Sequence, residues 1–346
     1  MERQIYNSHR TNLSNWNASI IRGERYSNST IPSAQQVAYA VGVVPPLQVS
    51  AQVWKRAWNL HRQVMPLLYL FDTTAPPDSS LALMCLWWKA LSANDQKSPV
   101  FDNSLVYDLL PRGTRIIVGN KMRRFYPRLH HANVELRTAY LDQQLTNTIY
   151  DIRQHTPTKR IRLVTLGAGY DVRSIKFKER SLVDQAIELD LPNVIAAKQE
   201  LFTSARLKCR RPLLTKDMLP SFYPVNLNNI DQVKEILTTI LSQDNDNDLW
   251  HTIFLFEGVM IYLDEGVPQS LLEACSAVLQ TTKEGSLLFA DRLENIPGGD
   301  YQLGLQELAK TGWNLMDWQP KPGLARHMGR AELLLLPLYE RSSSGK

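Results

Sequence analysis

Cysteine is scarce: Cys85, Cys209 and Cys275 are the three in 346 residues, and they lie far apart. Without a CxxC or a Cys/His spacing they form neither a zinc site nor a disulfide framework, so a reducing compartment is the simpler setting. No uninterrupted apolar run reaches the roughly 18–20 residues that a membrane span needs; stretches 64–71 and 81–88 are apolar but short. Neither sign of charge dominates, with 39 basic against 34 acidic residues and a net charge of +5. The basic clusters Lys159-Arg160-Arg162, Arg123-Arg124 and Lys208-Arg210-Arg211 are short and have no aromatic interleaving. They read as solvated faces rather than a nucleic-acid surface. No Ser-His-Asp or Cys-His pattern marks a nucleophilic hydrolase. These absences lead to an expectation of a cytoplasmic chain with no metal, membrane or nucleic-acid partner, and leave the oligomeric state open.

Three regions follow from composition and periodicity. Residues 1–33 are rich in Asn, Ser and Arg and lack hydrophobic periodicity, which predicts a disordered leader; an Arg/Ser-rich leader is also compatible with organelle targeting. Residues 34–150 are mostly of helical period and predict a helical cap. Val53-Trp54-Trp58-Val64 and Leu81-Met84-Leu86-Trp87-Leu91 recur at helical spacing, and a long helix over 133–149 carries Arg137. From 151 to 340 strands and helices alternate. Strands are expected at 161–166, 186–190, 222–227, 252–257 and 286–290, each followed by a helix, with a strand pair after Trp313. Repeated β-α units of this length predict a Rossmann-like α/β fold, a mostly parallel sheet with helices on both faces. Ligands in such folds bind at the carboxyl ends of the strands.

Ile161-Arg162-Leu163-Val164-Thr165-Leu166-Gly167-Ala168-Gly169-Tyr170-Asp171 stands at the centre of this pattern. A buried strand stops at two glycines spaced i, i+2, and a helix follows, which is how a nucleotide-binding unit opens. A dinucleotide fingerprint wants a third glycine where Val172 stands. Asp171 would also face a pyrophosphate with a fixed negative charge. A ligand with a cationic end suits this turn better, and S-adenosylmethionine carries a sulfonium and an ammonium and no phosphate. The next strand ends at Asp190, 21 positions after Gly169, where a carboxylate can accept both ribose hydroxyls. Asp171, Asp190, Asn226 and Glu257 all fall at strand ends. Glu257 follows a run too apolar to be exposed, so its charge must be paired or ligand-bound.

These residues carry a resemblance. Leu166-Gly167-Ala168-Gly169-Tyr170-Asp171-Val172-Arg173 resembles the LGAGxDxR motif of the leucine carboxyl methyltransferase-like family. Glu188-Leu189-Asp190-Leu191-Pro192, with Lys198 downstream, is similar to its ExDxP segment. Phe256 to Leu263 resembles its EGVxxYL segment, Tyr223 to Leu227 its PVDL stretch, and Glu135-Leu136-Arg137-Thr138 the helix of its RT arginine. Phe101-Asp102-Asn103 and Pro322-Gly323 to Gly329 resemble two further segments. The resemblance covers roughly residues 78–335.

What it implies is methyl transfer from S-adenosylmethionine to a carboxylate oxygen, on a small molecule or on a protein C-terminal leucine. Carried over, Arg137 would hold the cofactor carboxylate and Gly167 would pack on the methionine part, beside Gly169 and Asp171. Asp190 would bind the ribose, Asn226 and Leu227 would flank the adenine, and Glu257 would contact the ammonium. The family often has Asp where Asn226 stands. A basic residue expected upstream of Arg137 has no clear counterpart, Lys121 being the candidate. A carboxylate acceptor is ionised at pH 7, with a pKa of about 4, so the chemistry needs alignment rather than a general base. Tyr262 and Arg173 are the candidate catalytic, substrate-orienting residues. A non-catalytic binding protein on the same fold, and an NAD-dependent oxidoreductase, are the alternatives.

Overall fold

The structure is a computed structural model that describes residues 85–86, 89–90, 104–110, 128–242, 249–280, 282–291, 301–319 and 327–335. The leader at 1–33, Phe101-Asp102-Asn103, Lys121, Pro322-Gly323 and most of the expected cap lie outside the described residues. Of the cap, residues 85, 86, 89 and 90 are helical, as is α1 (Ser104–Leu109). The long helix α2 spans Arg128–His155.

Seven strands form one sheet: β1 (Arg160–Leu166), β2 (Gln185–Asp190), β3 (Ser221–Pro224), β4 (Trp250–Glu257), β5 (Gly285–Asp291), β6 (Trp313–Gln319) and β7 (His327–Leu333). Their order is β3-β2-β1-β4-β5-β7-β6. The first five are parallel, and β7 runs antiparallel between β5 and β6. The closing strand pair is thus built into the sheet, its second member beside β5. Every residue of β5 is buried, and its outer edge needs a neighbour to pair its backbone groups. Gly329 makes the close fit, since a Cβ there would run into the Phe289 ring.

Helices cover both faces because side chains alternate along each strand. Ile161, Leu163, Ile253, Leu255 and Leu288 pack under α2 and α3 (Arg173–Glu179). Val164, Leu166, Phe254, Phe256 and Phe289 face α6 (Ile230–Ser242), α7 (Val267–Leu279) and α8 (Tyr301–Lys310). Each such buried Leu or Phe contributes roughly 1.5–3 kcal/mol. The remaining helices are α4 (Pro192–Thr203) and α5 (Ala205–Arg210). The single helix expected after β2 is two, broken at Ser204, whose hydroxyl accepts from Leu207 N at 3.3 Å and caps α5. The helix expected from Asp171 starts at Arg173: Asp171 Oδ1 accepts from Arg173 N at 2.8 Å, so the aspartate closes the turn before the helix.

Position 150, the expected boundary between cap and sheet domain, falls inside α2. Leu141, Leu145 and Ile149, at i+4 spacing, enter the same core as β1 and β4. Tyr140 Oη and Gln144 Nε2 both donate to Asp317 Oδ2 on β6 at 2.8 Å. This helix therefore packs on the sheet, and it carries Arg137 to the sheet's carboxyl end.

Candidate cofactor site

The carboxyl ends of β1, β2 and β4 open on a cavity of about 410 Å³, within the roughly 300–1,000 Å³ range of small-molecule sites. Its walls include Arg137, Gly167, Gly169, Asp171, Asp190, Asn226, Leu227, Glu257 and Tyr262. All the cofactor residues expected from sequence are thus brought together.

The glycine turn is shaped for close approach. Gly167 sits at φ +68°, and a Cβ there would overlap the Val259 side chain. Asp190 reaches back across the turn. Its Oδ2 accepts from Gly169 N at 2.6 Å and its Oδ1 from Leu191 N at 2.7 Å. A carboxylate has about four acceptor positions, so these two bonds leave about two. Burial pushes the Asp190 carboxyl up, and the two N–H donors only partly offset it. Beneath the turn, Lys198 pairs with Glu188, both side chains 1% exposed. Asn226 is exposed at the rim, and its Oδ1 accepts from Asn228 N at 3.0 Å.

Glu257 lies at the other end, with its side chain 5% exposed. Its Oε1 accepts from Arg137 Nε at 2.8 Å and Thr138 Oγ1 at 3.1 Å; its Oε2 accepts from Arg173 Nη2 at 2.7 Å and Lys89 Nζ at 3.2 Å. Burial alone would raise this carboxyl, but Lys89, Arg173 and Arg137 outweigh it and hold it well below the usual carboxylate range. All four acceptor positions are in use. Glu257 is paired by the protein's own cations, and it aims Arg137 and Lys89 into the cavity.

Lys89 is the residue that sequence reasoning missed. It lines the cavity, 3.2 Å from Glu257 and 3.3 Å from Asp171. The signal was present: a lone charge in the apolar stretch Leu86-Trp87-Trp88-Lys89-Ala90 requires a partner when buried. Four positions earlier, Cys85 Sγ accepts from Arg137 Nη2 at 3.4 Å.

The two catalytic candidates separate. Tyr262 is 56% exposed and stands at the cavity mouth. Arg173 is 2% exposed and does not line the cavity. Its guanidinium joins Asp171, Glu257 and Asp142, the last at 2.6 Å. A group so enclosed cannot orient a substrate. It locks α2, the glycine turn and β4 together, while Lys176 supports Asp142 from 2.7 Å.

A parallel five-stranded sheet extended by an antiparallel β7, with a glycine cradle and a carboxylate at the ends of β1 and β2, is the arrangement of the Rossmann-like methyltransferase fold. The sequence model described as leucine carboxyl methyltransferase matches residues 82–276, more than half of the chain, and the chain belongs to that family. The match starts upstream of Lys89 and takes in α2. Direct comparison with curated proteins gives no significant match. Solved structures with a similar fold include magnesium protoporphyrin IX methyltransferase (ChlM) from Synechocystis PCC 6803 with bound SAM, at 10% identity and TM-score 0.36 over 57% of this chain and 83% of that one. Another is the glycopeptide N-methyltransferase MtfA complexed with S-adenosyl-L-methionine, at 12% identity and TM-score 0.32 over 55% and 93%. Among the described residues no helix is long and apolar enough to cross a membrane, and no group of His, Cys, Asp and Glu is placed to hold a metal ion.

Proposed function

We propose that this chain transfers the methyl group of S-adenosylmethionine to a carboxylate oxygen. The observation that carries the reading is the leucine carboxyl methyltransferase match, which contains the whole wall from Cys85 to Leu263. The bound cofactor supplies an electrophilic methyl group on a sulfonium. The chain's own residues bind and orient. Lys89 and Arg137 offer N–H donors to the cofactor carboxylate, Gly167 admits the methionine chain, and Asp190 offers its two remaining acceptor positions to the ribose. Asn226 and Leu227 flank the adenine, and Tyr262 meets the acceptor at the mouth. A carboxylate acceptor arrives ionised, which suits a site without a general base. Catalysis then rests on holding oxygen, methyl and sulfur in line.

The test is incubation of the purified chain with methyl-labelled S-adenosylmethionine. The acceptors are a panel of small carboxylic acids and a peptide ending in a free leucine carboxylate, with the C-terminal amide of that peptide as control. Expected is label released by mild alkali, as methyl esters release it, and none on the amide. Transfer that is stable to alkali would overturn the carboxylate reading. Lys89→Met is expected to weaken cofactor binding at least tenfold by calorimetry, while leaving 5′-methylthioadenosine, which lacks the carboxylate, nearly unaffected.

A further inference from the structure

Asp291 ends β5 as a wholly buried carboxylate. Its Oδ2 accepts from two successive backbone donors, Val259 N at 2.6 Å and Met260 N at 3.0 Å. One residue earlier, Gly258 N donates to Ala290 O at 3.1 Å. Three consecutive amides of the segment after β4 are thus tied to the last two residues of β5. A buried carboxyl left without donors would be costly, and the Val259 and Met260 amides supply them.

The tied segment shapes the methionine end of the cavity. Gly258 is held at φ +66°, where a Cβ would stand 2.7 Å from Arg137 Nη1. Val259 presses on Gly167. The 3₁₀ turn Met260–Tyr262 that follows then delivers Tyr262 to the mouth. Asp291 itself does not line the cavity. It acts through the backbone it grips, and that backbone sets where Arg137 and the glycine turn sit.

We propose that Asp291 is a positioning residue for methyl transfer, clamping the Gly258–Tyr262 segment so that the cavity fits the amino-acid end of the cofactor. The proposal rests on the cofactor placement given above. A merely structural role would shift all ligands together, whereas a clamp on this segment acts on one end of the ligand. The experiment therefore compares S-adenosylhomocysteine with 5′-methylthioadenosine, which shares the adenosine part and lacks the amino acid. Wild type, Asp291→Asn and Asp291→Ala are titrated with both by calorimetry. Expected is at least a tenfold loss of S-adenosylhomocysteine affinity in Asp291→Ala and a smaller loss in Asp291→Asn, which keeps one acceptor oxygen. Methylthioadenosine affinity stays within about threefold in both.

Equal loss of both ligands, or wild-type affinity in both variants, would overturn the clamp. Failure of wild type to bind S-adenosylhomocysteine, or retained adenosine affinity in Asp190→Ala, would instead overturn the cofactor placement. Hydrogen exchange on the wild-type chain gives a reading that needs no variant. The Val259 and Met260 amides are expected to be protected on the scale of the β4 core, and exchange at the rate of a solvent-facing loop would refute the proposal.

Discussion

Replacing Arg173 by methionine separates a buried organising role from a substrate-facing one. The guanidinium is 2% exposed and meets carboxylates from α2, the glycine turn and β4. Those carboxylates lift its pKa well above the ordinary value against the opposing effect of burial. Removing one partner of a buried ion pair costs about 3–5 kcal/mol, because the other charge is left behind. Here Asp142 keeps Lys176, Asp171 keeps Lys89, and Glu257 keeps Lys89 and Arg137. The lower end, about 3 kcal/mol, is therefore expected. At roughly 2–4 °C per kcal/mol for a large domain, Arg173→Met should melt about 6–12 °C below wild type by circular dichroism. Arg173→Lys keeps the charge but cannot span three carboxylates from one planar group, so it should recover only part of this. Cofactor affinity falls with stability, since Asp171 and Glu257 lose the same support. A melting temperature within about 2 °C of wild type, together with a large fall in turnover, would refute the reasoning and return Arg173 to the reacting groups.

Gly258→Ala is expected to be costly twice over. The left-handed conformation penalises any Cβ by about 1–2 kcal/mol, and the methyl group would also displace Arg137; calorimetry should show cofactor affinity reduced at least tenfold. The pH dependence of stability has a defined sign at Glu257. Its folded-state pKa lies below the unfolded value of about 4.3, so its contribution is fully present above that pH and is lost as pH falls toward the lowered value. Urea midpoints between about pH 6 and pH 3 should drop less steeply in Glu257→Gln, which starts from lower stability at pH 6, than in wild type; parallel curves would show that Glu257 does not carry the acid limb.

The glycine turn and Asp190 were legible because they are local. A strand, a two-glycine turn and a helix within about 12 residues need only backbone sterics to be recognised, and Asp190 returns to Gly169 from the adjacent strand. The alternation of apolar strands and amphipathic helices likewise announced a mostly parallel sheet with helices on both faces. The position of β7 was not legible, because an antiparallel strand beside β5 has the same apolar pattern as a parallel one. Lys89 was overlooked for a related reason: its partners Asp171 and Glu257 lie 82 and 168 positions away.

Spacing and side-chain chemistry by themselves determined the strand–turn–helix cradle, the carboxylates at the strand ends and the resemblance that names the cofactor. Only the tertiary structure decided what each charge does. It enclosed Arg173 among three carboxylates instead of placing it at the mouth, and it filled every acceptor position of Glu257 with the protein's own donors. It also exposed Tyr262 and made Asp291 an anchor for a segment 32 positions away. The physical reason is that a charge's role depends on which groups share its low-dielectric surroundings, and chain folding, not sequence spacing, brings those groups together.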